Sequence, residues 1–315
     1  MPPHSVDKII SPEEGGVRLD RCLRLWIPNL PQSIIERAAR KGALKVEGRK
    51  AKPSLRVETG QSVSFPSTFL GLAEEIPPQI PHPLTHAERK WLKGLILFQN
   101  EDLVVLNKPA GISVQKGTKQ TKALDDMMKV YDEDAQPRLV HRLDQETSGV
   151  LVLARTLPMA RWLTKAFKDR KVQKTYWALV CGVPAQKTGT INLSLSKKAD
   201  AIWEKVQVDP EEGVSAVTHY RILESFKDQY AWLELNPQTG RTHQLRVHCA
   251  SGLKTPILGD GKYGGKEVRH AAGLCLHARS LTIPLPDGVS LTFEAPLSEG
   301  FEEVLDGLRE EKSDD

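Results

Sequence analysis

Cysteine is scarce: Cys22, Cys181, Cys249 and Cys275 are scattered over 315 residues without a Cys-x-x-Cys pair. That spacing argues against a disulfide framework and against a zinc cluster, and it fits a reduced, cytoplasmic environment. His248 beside Cys249 has no further ligand cluster near it, so no metal is expected. No apolar run approaches membrane-spanning length, and the N-terminus lacks a basic stretch leading into an apolar core. Neither a membrane span nor a signal peptide is therefore expected. Internal repeats are lacking too. The net charge is only +4, too little to name a partner, so the distribution of charge has to be read instead.

A chain of this length predicts two domains. Residues 1–16 read as a flexible N-terminus and 17–65 as a small α/β unit. In that unit Leu19, Cys22, Leu23 and Trp26 fall at helical spacing. A second helix is predicted from a Ser33/Glu36 capping box, the stripe Ile34, Ile35, Ala38 and Ala39, and Gly42 at its end. Short strands follow around Leu44 and Val46 and around Val63 and Phe65. Arg37, Arg40, Lys41, Lys45 and Arg49 cluster here with Lys50, Lys52 and Arg56 against Glu47 alone. Such a cluster suits an RNA backbone, although a solvated basic face has the same composition.

Prolines 66, 77, 78, 81 and 83 make residues 66–95 read as an extended linker. Residues 96–297 then form the larger domain, opening on a hairpin around Asn100-Glu101-Asp102. A helix is predicted over 157–171, and strands over 176–180, 191–195, 214–223, 230–235, 281–285 and 289–293. Few helices among many strands give an α+β class with a mixed, largely antiparallel sheet. Residues 298–315 read as an acidic helix or tail with Phe301, Val304, Leu305 and Leu308 on one face.

The most informative stretch is 139–154, which sets Asp144 two residues after Arg142 and just before an apolar run. Ser148 and Gly149 read as turn residues, and Val150 to Ala154 as a buried strand. From spacing alone, a strand preceded by a capped turn explains this stretch without chemistry.

His141-Arg142-Leu143-Asp144, followed by Thr147-Ser148-Gly149 and an apolar strand, resembles the signature of the RluA-type pseudouridine synthases. Further blocks of that pattern occur in order: Leu106-Asn107-Lys108-Pro109-Ala110-Gly111, Lys174-Thr175-Tyr176, Gln238 through His248, and Pro256-Ile257-Leu258-Gly259-Asp260. The arrangement looks most like the RluC/RluD branch. In 17–65, Arg18-Leu19-Asp20 and the two helices resemble the S-four-type RNA-binding domain.

The resemblance implies isomerisation of uridine to pseudouridine without a cofactor. Asp144 would act at the ribose, either attacking the anomeric carbon or drawing the neighbouring proton. Arg246 is implied as its cationic partner, orienting it through a bidentate pair. Tyr176 would stack on the base, its hydroxyl assisting proton removal. Arg142 would enter the position that the flipped base vacates. Arg241 is implied in contact with phosphate or capping a turn, and Lys108 in contact with phosphate or bracing the loop. His141 is expected to pack rather than to transfer protons, and Leu276 matches an apolar pocket position. The expected partner is RNA, above all large-subunit ribosomal RNA or an assembling particle. Transfer RNA, and a non-catalytic ribosome-assembly role, are the alternatives.

Overall fold

Apolar positions at helical spacing and a short antiparallel sheet build the first of two units, residues 1–82, and the second spans 83–315. The computed structural model describes residues 5–28, 30–75, 83–115, 123–197, 205–264 and 273–313. The first unit contains β1 (Ser5–Ile9), α1 (Leu19–Trp26), α2 (Gln32–Arg40), β2 (Lys45–Val46), β3 (Arg49–Lys50), β4 (Ser62–Pro66) and α3 (Thr68–Glu75). Its sheet runs in the order β1-β4-β2-β3. Leu19, Cys22 and Leu23 of α1 and Ile35, Ala38 and Ala39 of α2 are buried in one core with Val63 and Phe65.

Three expectations change in this unit. Ser5–Ile9 is a strand rather than a flexible N-terminus, pairing from Ser5 opposite Pro66 to Ile9 opposite Ser62. Its residues are mostly exposed, so ladder hydrogen bonds hold it, and its polar side chains gave no apolar alternation to read. The Ser33/Glu36 capping box does not form. Pro31 stands at the cap with φ −63°, and Ser33 already lies inside the helix. The far end is as expected: Gly42, at φ +73°, closes α2 with Ala43 N–H donating to Ala38 O. Finally, the described parts of the expected linker, residues 66–75 and 83–95, are largely helical rather than extended. They hold α3, with Phe69 buried, and α4 (His86–Leu95) of the second unit, capped by Thr85 and Glu88 in a reciprocal capping box. Pro77, Pro78 and Pro81 lie outside the described residues.

The second unit continues with β5 (Ile96–Gln99), β6 (Leu103–Lys108), α5 (Leu124–Tyr131), β7 (Arg138–Leu139), β8 (Ser148–Ala154), α6 (Leu157–Lys168) and β9 (Gln173–Cys181). Next come β10 (Thr188–Lys197), β11 (Val206–Val208), β12 (Val214–Phe226), β13 (Tyr230–Pro237) and α7 (Gln244–Val247), which runs into a π-helical turn at His248–Leu253. β14 (Leu276–Pro284), β15 (Ser290–Glu294) and α8 (Glu299–Ser313) complete it. One sheet runs β11-β10-β12-β13-β9-β14-β8-β6-β5, with β15 on β14 and β7 on β8. Its pairs are antiparallel except β14 with β8. The class is α+β with a mixed, largely antiparallel sheet. No helix among the described residues is long and apolar enough to cross a membrane.

The parallel seam explains Gly149. Its φ is +109°, and a Cβ there would come 2.2 Å from Ala278 O. Ser148 and Gly149 are therefore the first strand residues and not the turn, which falls on Gln145 and Glu146. Beside them Ser148 Oγ and His277 Nδ1 share a buried 2.9 Å hydrogen bond, while His277 Nε2 meets Ala295 O at 3.2 Å. His248 bonds Thr218 Oγ1, and His141 Nε2 accepts the Val152 amide at 2.9 Å, replacing a ladder partner.

Burial holds all three imidazoles neutral, lowering His141 to about 3 and His248 and His277 to about 4. Below about pH 6.5 the unfolded chain takes up these protons and the folded chain does not. The stability they contribute is thus complete above that pH and is lost as pH falls. Urea unfolding between pH 6 and pH 5 is expected to show stability dropping by up to about 4 kcal/mol per pH unit, with His277→Gln removing about a third of the slope. A slope unchanged in that variant would exclude His277 from the effect.

Candidate active site

The loop between β7 and β8 carries Asp144 at the edge of a cleft of about 520 Å³. Tyr176 enters it from β9, Leu276 from the start of β14, Arg246 from α7, and Arg241 from the turn before α7. The sequence blocks, spread over more than a hundred residues, thus meet in one place.

The turn after Asp144 is braced from below. Lys108 is fully buried, and its Nζ donates to the carbonyls of Pro109 (2.8 Å), Ile112 (2.8 Å) and Gln145 (3.0 Å). Burial lowers its pKa to about 8, against the pull of Glu146 and Asp144. A lysine with its three donors spent on backbone carbonyls has none left for a phosphate, so in this structure Lys108 braces the loop. Gln145 closes the same brace by bonding Gly111 O through its side chain and accepting the Gly111 amide. His141 packs on Phe167 with ring centroids 4.6 Å apart, consistent with a structural role.

Arg246 departs from expectation. Its bidentate partner is Asp260, with Nε to Oδ2 at 2.8 Å and Nη2 to Oδ1 at 2.7 Å, and not Asp144. Asp260 is buried and also accepts the amides of Lys262 and Tyr263. Burial works against the Arg246 charge, but the bonds and charge of Asp260, and behind them Asp144, raise its pKa overall. The guanidinium lies 5.3 Å from the centre of the Tyr263 ring.

Among the described residues the Asp144 carboxylate makes no hydrogen bond or ion pair, so its oxygens are available to a substrate. Its charge is felt by Arg246, Lys108 and Tyr176. Burial first, then Asp144, pushes the Tyr176 hydroxyl well above its usual pKa. Tyr176 therefore offers a ring and a protonated hydroxyl, a poor base near neutral pH and a good donor or stacking face. Arg142 is exposed at the cleft and unbonded among the described residues. Arg241 is exposed, its amide donating to Gln244 Oε1 and its Nε reaching Ser215 O at 3.4 Å. Arg37, Arg40, Lys41, Lys45 and Arg49 are all exposed in the first unit.

Several residues of this site carried no role in the sequence reading. Asp260 closes the block Pro256 through Asp260, but only the fold reveals that it faces Arg246. Buried Gln244 holds the turn before α7, accepting from Thr239 Oγ1 (2.7 Å) and the Arg241 amide (3.0 Å) and donating to Val217 O (3.0 Å). Lys174 lines the cleft and donates to Thr239 O. Among the described residues no group of His, Cys, Asp and Glu is placed to hold a metal ion.

A free carboxylate in a cleft with an aromatic ring, a second-carboxylate-held arginine and a rim of cations defines an enzyme site suited to a polyanionic substrate. Residues 102–251 match the family model described as RNA pseudouridylate synthase. A ribosomal large subunit pseudouridine synthase C of Rickettsia conorii is 36% identical, covering 84% of this chain and 88% of its own. That of Pasteurella multocida is 34% identical over 96% and 94%. The solved structure of human RNA pseudouridylate synthase domain containing 4 superposes with a TM-score of 0.60 at 32% identity, covering 72% of this chain and 98% of its own. The chain belongs to the RNA pseudouridylate synthase family, in its RluA-type, RluC-like branch. It is an isomerase that acts on RNA.

Removing one partner of a buried ion pair strands the other charge. Asp260→Ala is expected to cost about 3–5 kcal/mol in urea unfolding, whereas exposed Arg142→Ala stays within about 0.5 kcal/mol. Equal stabilities for the two variants would contradict the role given to the pair.

Proposed function

We propose that this chain converts specific uridines of large-subunit ribosomal RNA to pseudouridine in the cytoplasm, with Asp144 acting at the ribose of a nucleotide flipped into the cleft. The observation that carries the chemistry is the unspent carboxylate of Asp144 in one cleft with Tyr176 and Arg246, whose own carboxylate partner is Asp260. Attack at the anomeric carbon, or removal of the neighbouring proton, releases the uracil ring nitrogen. The base then turns and rejoins through a ring carbon, which loses its proton, with no net redox change. Tyr176 stacks on the base, and Arg142, exposed and unengaged, occupies the space the base leaves. Arg241 faces the RNA from the same cleft.

The address is supported by the relatives, several of which are named for the ribosomal large subunit. The first unit is proposed as an S-four-type RNA-binding domain. Its Arg37, Arg40, Lys41, Lys45 and Arg49 are exposed, and Arg40 lines a groove of about 620 Å³ together with Arg18, Lys50, Lys52 and Glu36.

Two experiments test this reading. Pseudouridines mapped by carbodiimide block to reverse transcription, in total RNA from cells with and without the chain, are expected to disappear from large-subunit ribosomal RNA. Loss confined to transfer RNA would overturn the address, and no loss would overturn the function. Replacing Arg37, Arg40 and Lys41 together with Ala is expected to lower the salt slope of RNA binding by about 2–3. Binding with an unchanged slope would remove this face from RNA contact.

A further inference from the structure

Lys174 stands two residues before Tyr176 on β9, so the two side chains leave the same face of the strand, and both line the cleft. Its Nζ donates to Thr239 O at 3.1 Å and, among the described residues, to no other acceptor. That bond is not needed to hold the turn. Thr239 is already fixed, its hydroxyl donating to Gln244 Oε1 and accepting the Val217 amide. The turn instead aims the ammonium, leaving two of its three donors for the cleft.

Among the described residues no carboxylate pairs with this ammonium. The charge felt most strongly by Lys174 is that of Arg170, a like charge from the turn between α6 and β9, and burial together with Arg170 lowers Lys174 to about 8. The groups around it offer little relief. His141, on the Asp144 loop, is neutral, and Arg241 on the facing turn is another cation. Tyr176 on the same strand keeps its proton, and the charge of Asp144 is felt by Arg246 and Lys108. Two cations set together in a half-buried cleft are costly until an anion arrives. In an enzyme that acts on RNA, the anion at hand is the backbone phosphodiester.

We propose that Lys174 and Arg170 form a phosphate subsite that grips a backbone phosphodiester of the RNA segment presented to Asp144. With the base against Tyr176 and the phosphate on Lys174, one strand face sets the distance between them. The proposal rests on the RNA-acting chemistry of the cleft and not on which RNA is the target.

The test uses the full-length protein and total RNA from cells lacking the chain, so that turnover is observed whichever RNA holds the site. Lys174→Met is expected to raise the apparent KM about tenfold or more and to lower the salt slope of binding by about one, with a far smaller fall in the rate at saturating RNA. Lys174→Arg is expected to restore most of the affinity. From pH 7 to pH 9 the wild-type KM should climb as Lys174 loses its proton, while Lys174→Arg, whose guanidinium stays charged, removes that climb. An unchanged KM in Lys174→Met, a loss of rate with KM unaffected, or the same alkaline climb in Lys174→Arg would each overturn the proposal. Should Lys174→Met fail to fold, exposed Arg170→Ala carries the same test: a several-fold rise in KM supports the subsite and an unchanged KM refutes it.

Discussion

The buried pair between Arg246 and Asp260 is the interaction on which the rest of the cleft depends. A guanidinium taken out of water is tolerated only with its donors matched, and Asp260 matches two of them while its Oδ1 is also held by the Lys262 and Tyr263 amides. Because Arg246 is held this way, Asp144 gains a nearby positive field without surrendering its oxygens to a direct bond. Lys108 follows the same logic. Its charge lies beneath the Asp144 turn, but three carbonyls hold it there and keep it from the substrate.

Charge in this molecule is thus sorted by depth. Arg246 and Lys108 are buried and satisfied by the protein, and they shape the environment of the proposed catalytic carboxylate. Arg142, Arg170 and Arg241 are exposed along the cleft, where RNA phosphates and bases would meet them. Lys174 lies between these layers, partly buried and, among the described residues, without a carboxylate partner, as the proposed phosphate subsite requires. In the proposed reading the basic face of the first unit supplies the general attraction for RNA, and the cleft supplies the chemistry.

Local signals were legible where chemistry and geometry coincide within a few residues. The strand that begins at Ser148, the helix at Leu157–Lys168 and the cluster of ordered blocks all left a periodic or motif trace. What was hidden depends on distant partners. Asp260 and Arg246 are fourteen residues apart, with nothing in either to announce the other. Lys108 shows how charge misleads: a lysine in Asn-Lys-Pro reads the same whether its ammonium meets a phosphate or three carbonyls, and only burial tells them apart. Ser5–Ile9 leaves no trace in the sequence because an edge strand held by backbone bonds needs no apolar alternation. A glycine after Thr-Ser looks like a turn residue, whereas Gly149 lets two parallel strands approach.

The central claim is that the unspent carboxylate of Asp144 performs the reaction in a cleft whose other charges are already matched or reserved for RNA. The most direct measurement compares Asp144→Asn with the wild type, following pseudouridine formation and RNA affinity on the same RNA. The substitution keeps shape and hydrogen-bonding capacity while removing the charge. Loss of product to below about a thousandth of the wild-type rate, with RNA affinity preserved, is the predicted result. Substantial product from Asp144→Asn would contradict the account.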